Sequence, residues 1–188
     1  METNRRERRR HLLSERAREA TPAIVDEAEF IENKCSPNAK RFSQRVENTN
    51  IDIWIDKHYH IRSHLGDEYG KRDGIEPEKV REIVEEAIRH LIVYSGIVKN
   101  FTFLNYRHAK GQRALRVVCQ KEYDGNKTNV TIEAHLTNLN EIEITIVTAI
   151  QKNDYQPSDG QYVIELLGGG NSTLLHFARN KLNEICDL

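Results

Sequence analysis

Residues 113–150 constrain the fold more than any other part of this chain. Arg113–Tyr123 alternates, with Leu115, Val117 and Cys119 on one side and Arg116, Val118 and Gln120 on the other. Asn129–Leu136 repeats the pattern through Val130, Ile132, Ala134 and Leu136, and Glu141–Ile150 repeats it through Ile142, Ile144, Ile146 and Thr148. Successive side chains leave a pleated backbone on opposite sides, so alternation of this kind marks strands with one apolar face. Asp124-Gly125 is a strong hairpin signal, and Thr137–Asn140 supplies the next reversal. Three consecutive strands joined by tight turns form an antiparallel meander.

A meander with one apolar face needs a layer to cover it. Pro77 sits where a first helical residue belongs. Val80, Ile83, Val84, Ala87, Ile88 and Leu91 follow at helical spacing, which predicts a helix over roughly 77–93 with Glu78, Arg81, Glu82, Glu85, Glu86 and Arg89 outward. Ile51–Leu65 alternates as a further strand, Phe101–Tyr106 as a short one and Tyr162–Leu167 as the last. Ser63 is a plausible N-cap for a short helix over 63–72. Gly168-Gly169-Gly170 leads to an expected final helix over about 172–186, capped by Asn171 or Ser172, with Leu175, Ala178, Leu182 and Ile185 as its buried stripe. The glycines resemble a phosphate-cradling turn, but no P-loop lysine follows and the better reading is a flexible joint.

The N-terminal part differs in composition. Residues 1–20 hold seven arginines against four glutamates, a net of +3, and are strong helix formers with few apolar positions. Pro22 opens a second short helical stretch, and 33–50 is polar with a Ser36-Pro37-Asn38 breaker, so it reads as a linker. The expected organisation is a basic helical arm or partner-binding extension over 1–48 and an α+β domain over 49–188. The fold class expected is α+β: an antiparallel sheet of about five or six strands against one or two helices, with a helical N-terminal extension.

Cys35, Cys119 and Cys186 are odd in number and far apart, which suggests reduced thiols in a cytoplasmic protein. No signal peptide and no apolar run near the ~20 residues of a membrane span are visible, so no membrane role is expected. The Asn-x-Ser/Thr sequons at Asn100, Asn126, Asn129 and Asn171 then count as chance matches. A net charge of −1 is unusual for a protein devoted to nucleic acid, although charge distribution matters more than the sum.

The polar side of Ile51–Leu65 collects Asp52, Trp54, Asp56, His58, His60, Arg62 and His64. Three readings stand. Imidazoles titrate near neutrality and serve as general base and acid, with arginine as a planar fork for phosphate. Alternatively, a helix over 56–68 would stack Asp56, His60, His64 and Glu68 at four-residue spacing, adequate for zinc or manganese, but the alternation and Gly66 oppose it. Or the face is simply solvated.

The run Tyr59-His-Ile-Arg-Ser-His64-Leu, then Lys71-Arg72-Asp-Gly-Ile75, then a Glu/Pro-initiated helix, resembles the opening of the small phage-derived, BrnT-like toxins of the RelE-like, barnase-like ribonuclease superfamily. Ile61, Ser63, His64, Arg72 and Ile75 match, over about residues 57–150. Glu68-Tyr69 stands where another arginine belongs, Asp73 interrupts Arg-Gly, and residues 1–48 and 151–188 have no counterpart in the minimal toxins. The resemblance implies metal-independent RNA cleavage with no cofactor and no metal. A 2′-hydroxyl attacks phosphorus, a base and an acid move protons, and cations stabilise the phosphorane. It implies His64, His60 and Arg72 as catalytic residues, and Arg62, Arg116, His58 and outward-facing His135 as substrate-binding ones. RNA is the expected partner, with an antitoxin or other protein on residues 1–48. The rival expectations are a non-catalytic phage or mobile-element accessory that binds nucleic acid or protein, and a metal-dependent hydrolase.

Overall fold

The computed structural model describes residues 31–35, 39–46, 49–56, 59, 75–106 and 114–188, with backbone alone at 42–46 and at Asp56. Nine strands and one helix are found there. They are β1 (Ala39–Val46), β2 (Thr49–Asp56), α1 (Pro77–Ile97), β3 (Leu104–Asn105), β4 (Arg116–Tyr123), β5 (Asn126–Asn138), β6 (Glu141–Gln151), β7 (Tyr162–Gly168), β8 (Asn171–Ala178) and β9 (Lys181–Asp187). All strands join one sheet in the order β1-β2-β6-β5-β4-β7-β8-β9, and β3 continues the β4 position by pairing with the far end of β5.

The meander of β4, β5 and β6 forms as the alternation requires, and its first turn has positive φ at both Asp124 (51°) and Gly125 (77°). These are the signs of a type I′ hairpin, whose twist matches the flanking strands. Helix α1 begins at Pro77 and ends where Val98 turns extended, its N–H bonded to the Tyr94 carbonyl at 2.8 Å. Its buried side is Val80, Ile83, Val84, Ala87, Ile88, Leu91 and Tyr94. That stripe packs on the odd positions of β2 (Ile51, Ile53, Ile55) and on the apolar positions of the meander and β7.

The fold class differs from the sequence expectation. The sheet is larger than five or six strands and is mixed, because β2 runs parallel to β6 and β7 parallel to β4. Among the described residues α1 is the only helix seen over more than one residue; Tyr59 is also helical, so the expected Ile51–Leu65 strand ends at Asp56. Of the expected helical extension over 1–48, residues 1–30 fall outside the described ones, while 31–35 and 39–46 hold no helix. The expected last helix is instead the β8–β9 hairpin. Arg179 (φ 54°) and Asn180 (φ 60°) form its turn, and two consecutive left-handed residues break any helix there. Leu175, Ala178, Leu182 and Ile185 fit a helical stripe only if that turn is overlooked. Gly168, Gly169 and Gly170, all at positive φ, close the β7–β8 hairpin rather than joining a strand to a helix. Within the stretch read as a linker, 39–46 is β1, paired along its length with β2.

The side of the sheet away from α1 is also largely buried, with different chemistry. Trp54, Val118, Gln120, Asn129, Thr131, Glu133, His135 and Thr145 lie there at 5% exposure or less. Even positions of β2 and odd positions of β5 thus make a second, polar interior.

Candidate functional site

One rung of the ladder organises this polar interior. Arg41 in β1 lies opposite Trp54 in β2, Trp54 opposite Thr145 in β6, Thr145 opposite Glu133 in β5, and Glu133 opposite Arg116 in β4. The next rung toward the start of β6 runs Asp52, Glu143, His135 and Asn105. Side chains directly opposite on one face are near enough to bond, and two positions apart on a strand they share that face.

Glu133 sits at the centre. Its Oε2 accepts the Arg116 Nε–H at 3.0 Å, and its Oε1 lies 2.9 Å from His135 Nε2. Burial alone pushes the Glu133 carboxyl up. The hydrogen bonds from His135 and Arg116, with the Arg116 charge, outweigh burial and hold it below the usual carboxylate range. Glu133 is therefore ionised at neutral pH, and His135 Nε2 carries the shared proton and donates it. His135 and Glu133 are almost fully buried, whereas the Arg116 side chain is 42% exposed and keeps much of its hydration. Asn105 anchors the edge of the cluster. Its amide donates to the Leu115 and Ala134 carbonyls at 2.9 and 3.0 Å and accepts the Leu115 N–H at 2.7 Å, closing the joint between β3 and β4.

The chain before β1 lies over this cluster. Asn33 Nδ2 donates to Thr145 Oγ1 at 2.7 Å, and the Lys34 N–H donates to Glu143 Oε1 at 2.9 Å. The Cys35 thiol rests against Glu133 and Thr145. Burial first, and the Glu133 charge second, push it from 9.0 up to about 11, so it is a neutral thiol at physiological pH. A cysteine nucleophile needs a thiolate and an imidazole beside it. Here the neighbour is a carboxylate, so nucleophilic chemistry at Cys35 is not what the arrangement provides. Trp54 adds one more feature: Arg41 stacks over its ring at 5.9 Å, while its buried Nε1–H has no acceptor among the described residues.

Of the sequence candidates, Arg116 and His135 come together through Glu133. His58, His60, Arg62, His64 and Arg72 lie outside the described residues, as does the Asp56/His60/His64/Glu68 metal alternative, apart from the backbone of Asp56. Among the described residues no group of three or more His, Cys, Asp or Glu is placed to hold a metal ion. Sequence reasoning missed Glu133, Cys35, Thr145 and Trp54 as a group. Glu133 and His135 at i and i+2 on a half-apolar strand were the visible signal; Cys35 gave none.

A second polar cluster joins α1 to β8. Ser172 Oγ lies 3.0 Å from both Tyr94 Oη and His90 Nδ1, and Tyr94 Oη donates to the Ser172 carbonyl at 2.7 Å. Ser172 is completely buried, so its hydroxyl meets no substrate; the trio fixes β8 to the helix. An open groove of about 540 Å³ beside it is bordered by Glu82, Glu86, Arg89, His90 and Gly170.

No family model, no curated protein and no solved structure matches the chain. Among the described residues no helix is long and apolar enough to cross a membrane.

Proposed function

We propose that this chain is a metal-independent ribonuclease, of the kind its resemblance to phage-derived toxins suggests, with Arg116, Glu133 and His135 at the reacting phosphodiester. The contact of a carboxylate, an imidazole and a guanidinium on one sheet face supports this reading. Transphosphorylation of RNA needs a base, an acid and a cation, roles these three groups can fill. Glu133 accepts the proton of the attacking 2′-hydroxyl. His135, entering the reaction as the imidazolium, gives a proton to the leaving 5′-oxygen as the P–O5′ bond breaks and is left neutral, while Glu133 keeps the proton from the 2′-hydroxyl. Arg116, half-exposed, neutralises the added charge on the phosphorane. His64, His60, Arg72, Arg62 and His58 remain part of the proposal as further proton-transfer and phosphate groups.

A second reading, non-catalytic binding of RNA, is favoured by one observation: both Glu133 oxygens are already engaged by Arg116 and His135. Cleavage of a fluorescent RNA oligonucleotide in the presence of a chelator separates the two. The first reading expects cleavage that falls at least a hundredfold in Glu133→Gln and His135→Asn, within the range for losing a general base or acid. Binding without cleavage, weakening steeply with salt, supports the second. Neither binding nor cleavage retires both.

A further inference from the structure

We propose that Ile31–Cys35 is a removable strap over the Arg116–Glu133–His135 cluster, and that an RNA phosphodiester displaces it to reach the site. This rests on the ribonuclease reading for the identity of the ligand. The strap itself rests on three observations.

The first is placement. Ile31 pairs with Ala39 beside β1 through two backbone bonds of 3.0 and 2.9 Å. From there the segment reaches across the polar face to Thr145, Glu143 and Glu133. Its partners on the sheet are thus side chains of the two rungs that hold the candidate site.

The second is attachment. Ile31 is 53% exposed, Glu32 and Lys34 are exposed, and no residue of the strap is classed as buried. Polar contacts hold it: the Asn33 amide, the Lys34 N–H and the Cys35 thiol. A segment without buried apolar side chains opens at low free energy and independently of the core. A ribose hydroxyl can donate to Thr145 or Glu143 in place of the Asn33 amide and the Lys34 N–H, while phosphate oxygens, which only accept, bind the Arg116 guanidinium.

The third is an unsatisfied group. The Nε1–H of Trp54, on the rung the strap crosses, is buried with no acceptor among the described residues. A buried orphan donor disfavours the arrangement that buries it. Opening the strap admits water to this rung, where a phosphodiester oxygen can accept the Trp54 Nε1–H beside Arg41, its neighbour across β1 and β2.

Cys35 reports on the strap directly. In a Cys186→Ser background the other thiol, Cys119, is completely buried, so labelling by a chromogenic disulfide reads Cys35. With the strap down, the raised thiol has about a hundredfold less thiolate than an ordinary one; its higher intrinsic nucleophilicity restores about tenfold, leaving labelling about tenfold slow. Asn33→Ala should raise the rate about tenfold. Thr145→Val, which removes the same bond from the sheet side, should do likewise, and it keeps the test intact if Asn33→Ala fails to fold. A 2′-O-methyl RNA oligonucleotide, which cannot be cleaved, should raise the rate in the parent. Unchanged labelling in both variants, or slower labelling with the oligonucleotide, overturns the strap. RNA cleavage with unchanged labelling in the variants retires the strap and keeps the nuclease. Raised labelling in a protein that never cleaves RNA retires the nuclease and keeps the strap.

Discussion

Glu133→Gln is the most informative single change, because it keeps the side chain's size and removes the charge at the centre of the cluster. The native carboxylate receives a hydrogen bond from Arg116 and one from His135 at 3.0 and 2.9 Å, with 6% of its side chain exposed. Hydrogen bonds to charged groups contribute about 1.5–3 kcal/mol each. Glutamine retains one acceptor, and Arg116 at 42% exposure recovers solvation, so the full penalty of an orphaned buried charge does not apply. The expected loss at pH 7 is about 1–3 kcal/mol. With a urea m-value of about 2–3 kcal/mol/M, that moves the unfolding midpoint down by roughly 0.3–1.5 M. The pH dependence follows from the lowered folded-state value of Glu133. Its contribution is complete above its unfolded value, near 4.5, and disappears as pH falls through the lower folded value. The gap between the native protein and Glu133→Gln should therefore be full at pH 6–7 and narrow progressively as pH falls below about 4.5. Urea titrations at four pH values, with equal m-values, check this. A gap as wide at pH 3 as at pH 7, or a variant more stable than the native protein at pH 7, refutes the account of Glu133 as an ionised, doubly bonded carboxylate.

The same charge raises Cys35, so Glu133→Gln should bring the thiol down from about 11 toward 9.0 and speed its alkylation at pH 8; a pH profile of the rate measures it, and a slower rate would contradict the contact. Replacing Arg179 by Asn together with Asn180 by Gly installs the preferred type I′ pair at a turn with two positive φ values and should stabilise the protein by about 0.5–1 kcal/mol in thermal denaturation. In a helix over 172–186 the same glycine would destabilise by about 1 kcal/mol, so the sign decides between hairpin and helix. Tyr94→Phe removes the donor to the buried Ser172 carbonyl and should cost about 1–3 kcal/mol, read from the urea midpoint. Trp54→Phe loses ring volume but also an unsatisfied buried donor; these offset, and a change below about 1 kcal/mol is expected.

What the sequence revealed follows the strength of local signals. The β4–β5–β6 meander and α1 were readable because alternation, a Pro at the helix start and an Asp-Gly turn all point the same way. The β8–β9 hairpin was misread because Leu175, Ala178, Leu182 and Ile185 mimic helical spacing while the turn uses Arg179-Asn180, a weaker signal than Asn-Gly. β1 was hidden by its polar composition: a strand at the edge of a sheet needs fewer apolar residues than one in the middle. The parallel neighbours β2–β6 and β4–β7 were unreadable, since such pairings join residues about ninety and forty-five positions apart and leave no local trace. The same holds for the site. Arg116 and His135 could be picked out one by one, but Glu133 looked like one more acidic residue until the register placed it between them.

The polar interior is the strongest reason to expect chemistry from this fold. A row of branched apolar residues across β2, β6, β5 and β4 would fill the same space, as it does on the helix side with Ile55, Ile146, Ile132 and Val117. Burying a carboxylate and its partners instead seldom adds stability over such a row. Gln120 and Asn129, bonded to each other at 2.6 Å, extend the polar face along the same strands without any charge. They show that polar burial here does not itself require an ion pair. The charged groups are concentrated where Arg116, Glu133 and His135 meet, under the Ile31–Cys35 segment that hydrogen-bonds to Thr145 and Glu143. A cluster kept for function at the expense of stability would gain from replacement, so Glu133→Leu combined with His135→Leu and Arg116→Met should match or exceed the native stability in urea while abolishing the proposed activity on RNA. If that triple variant is instead destabilised by more than about 3 kcal/mol, the network is a structural keystone and the functional reading of it fails.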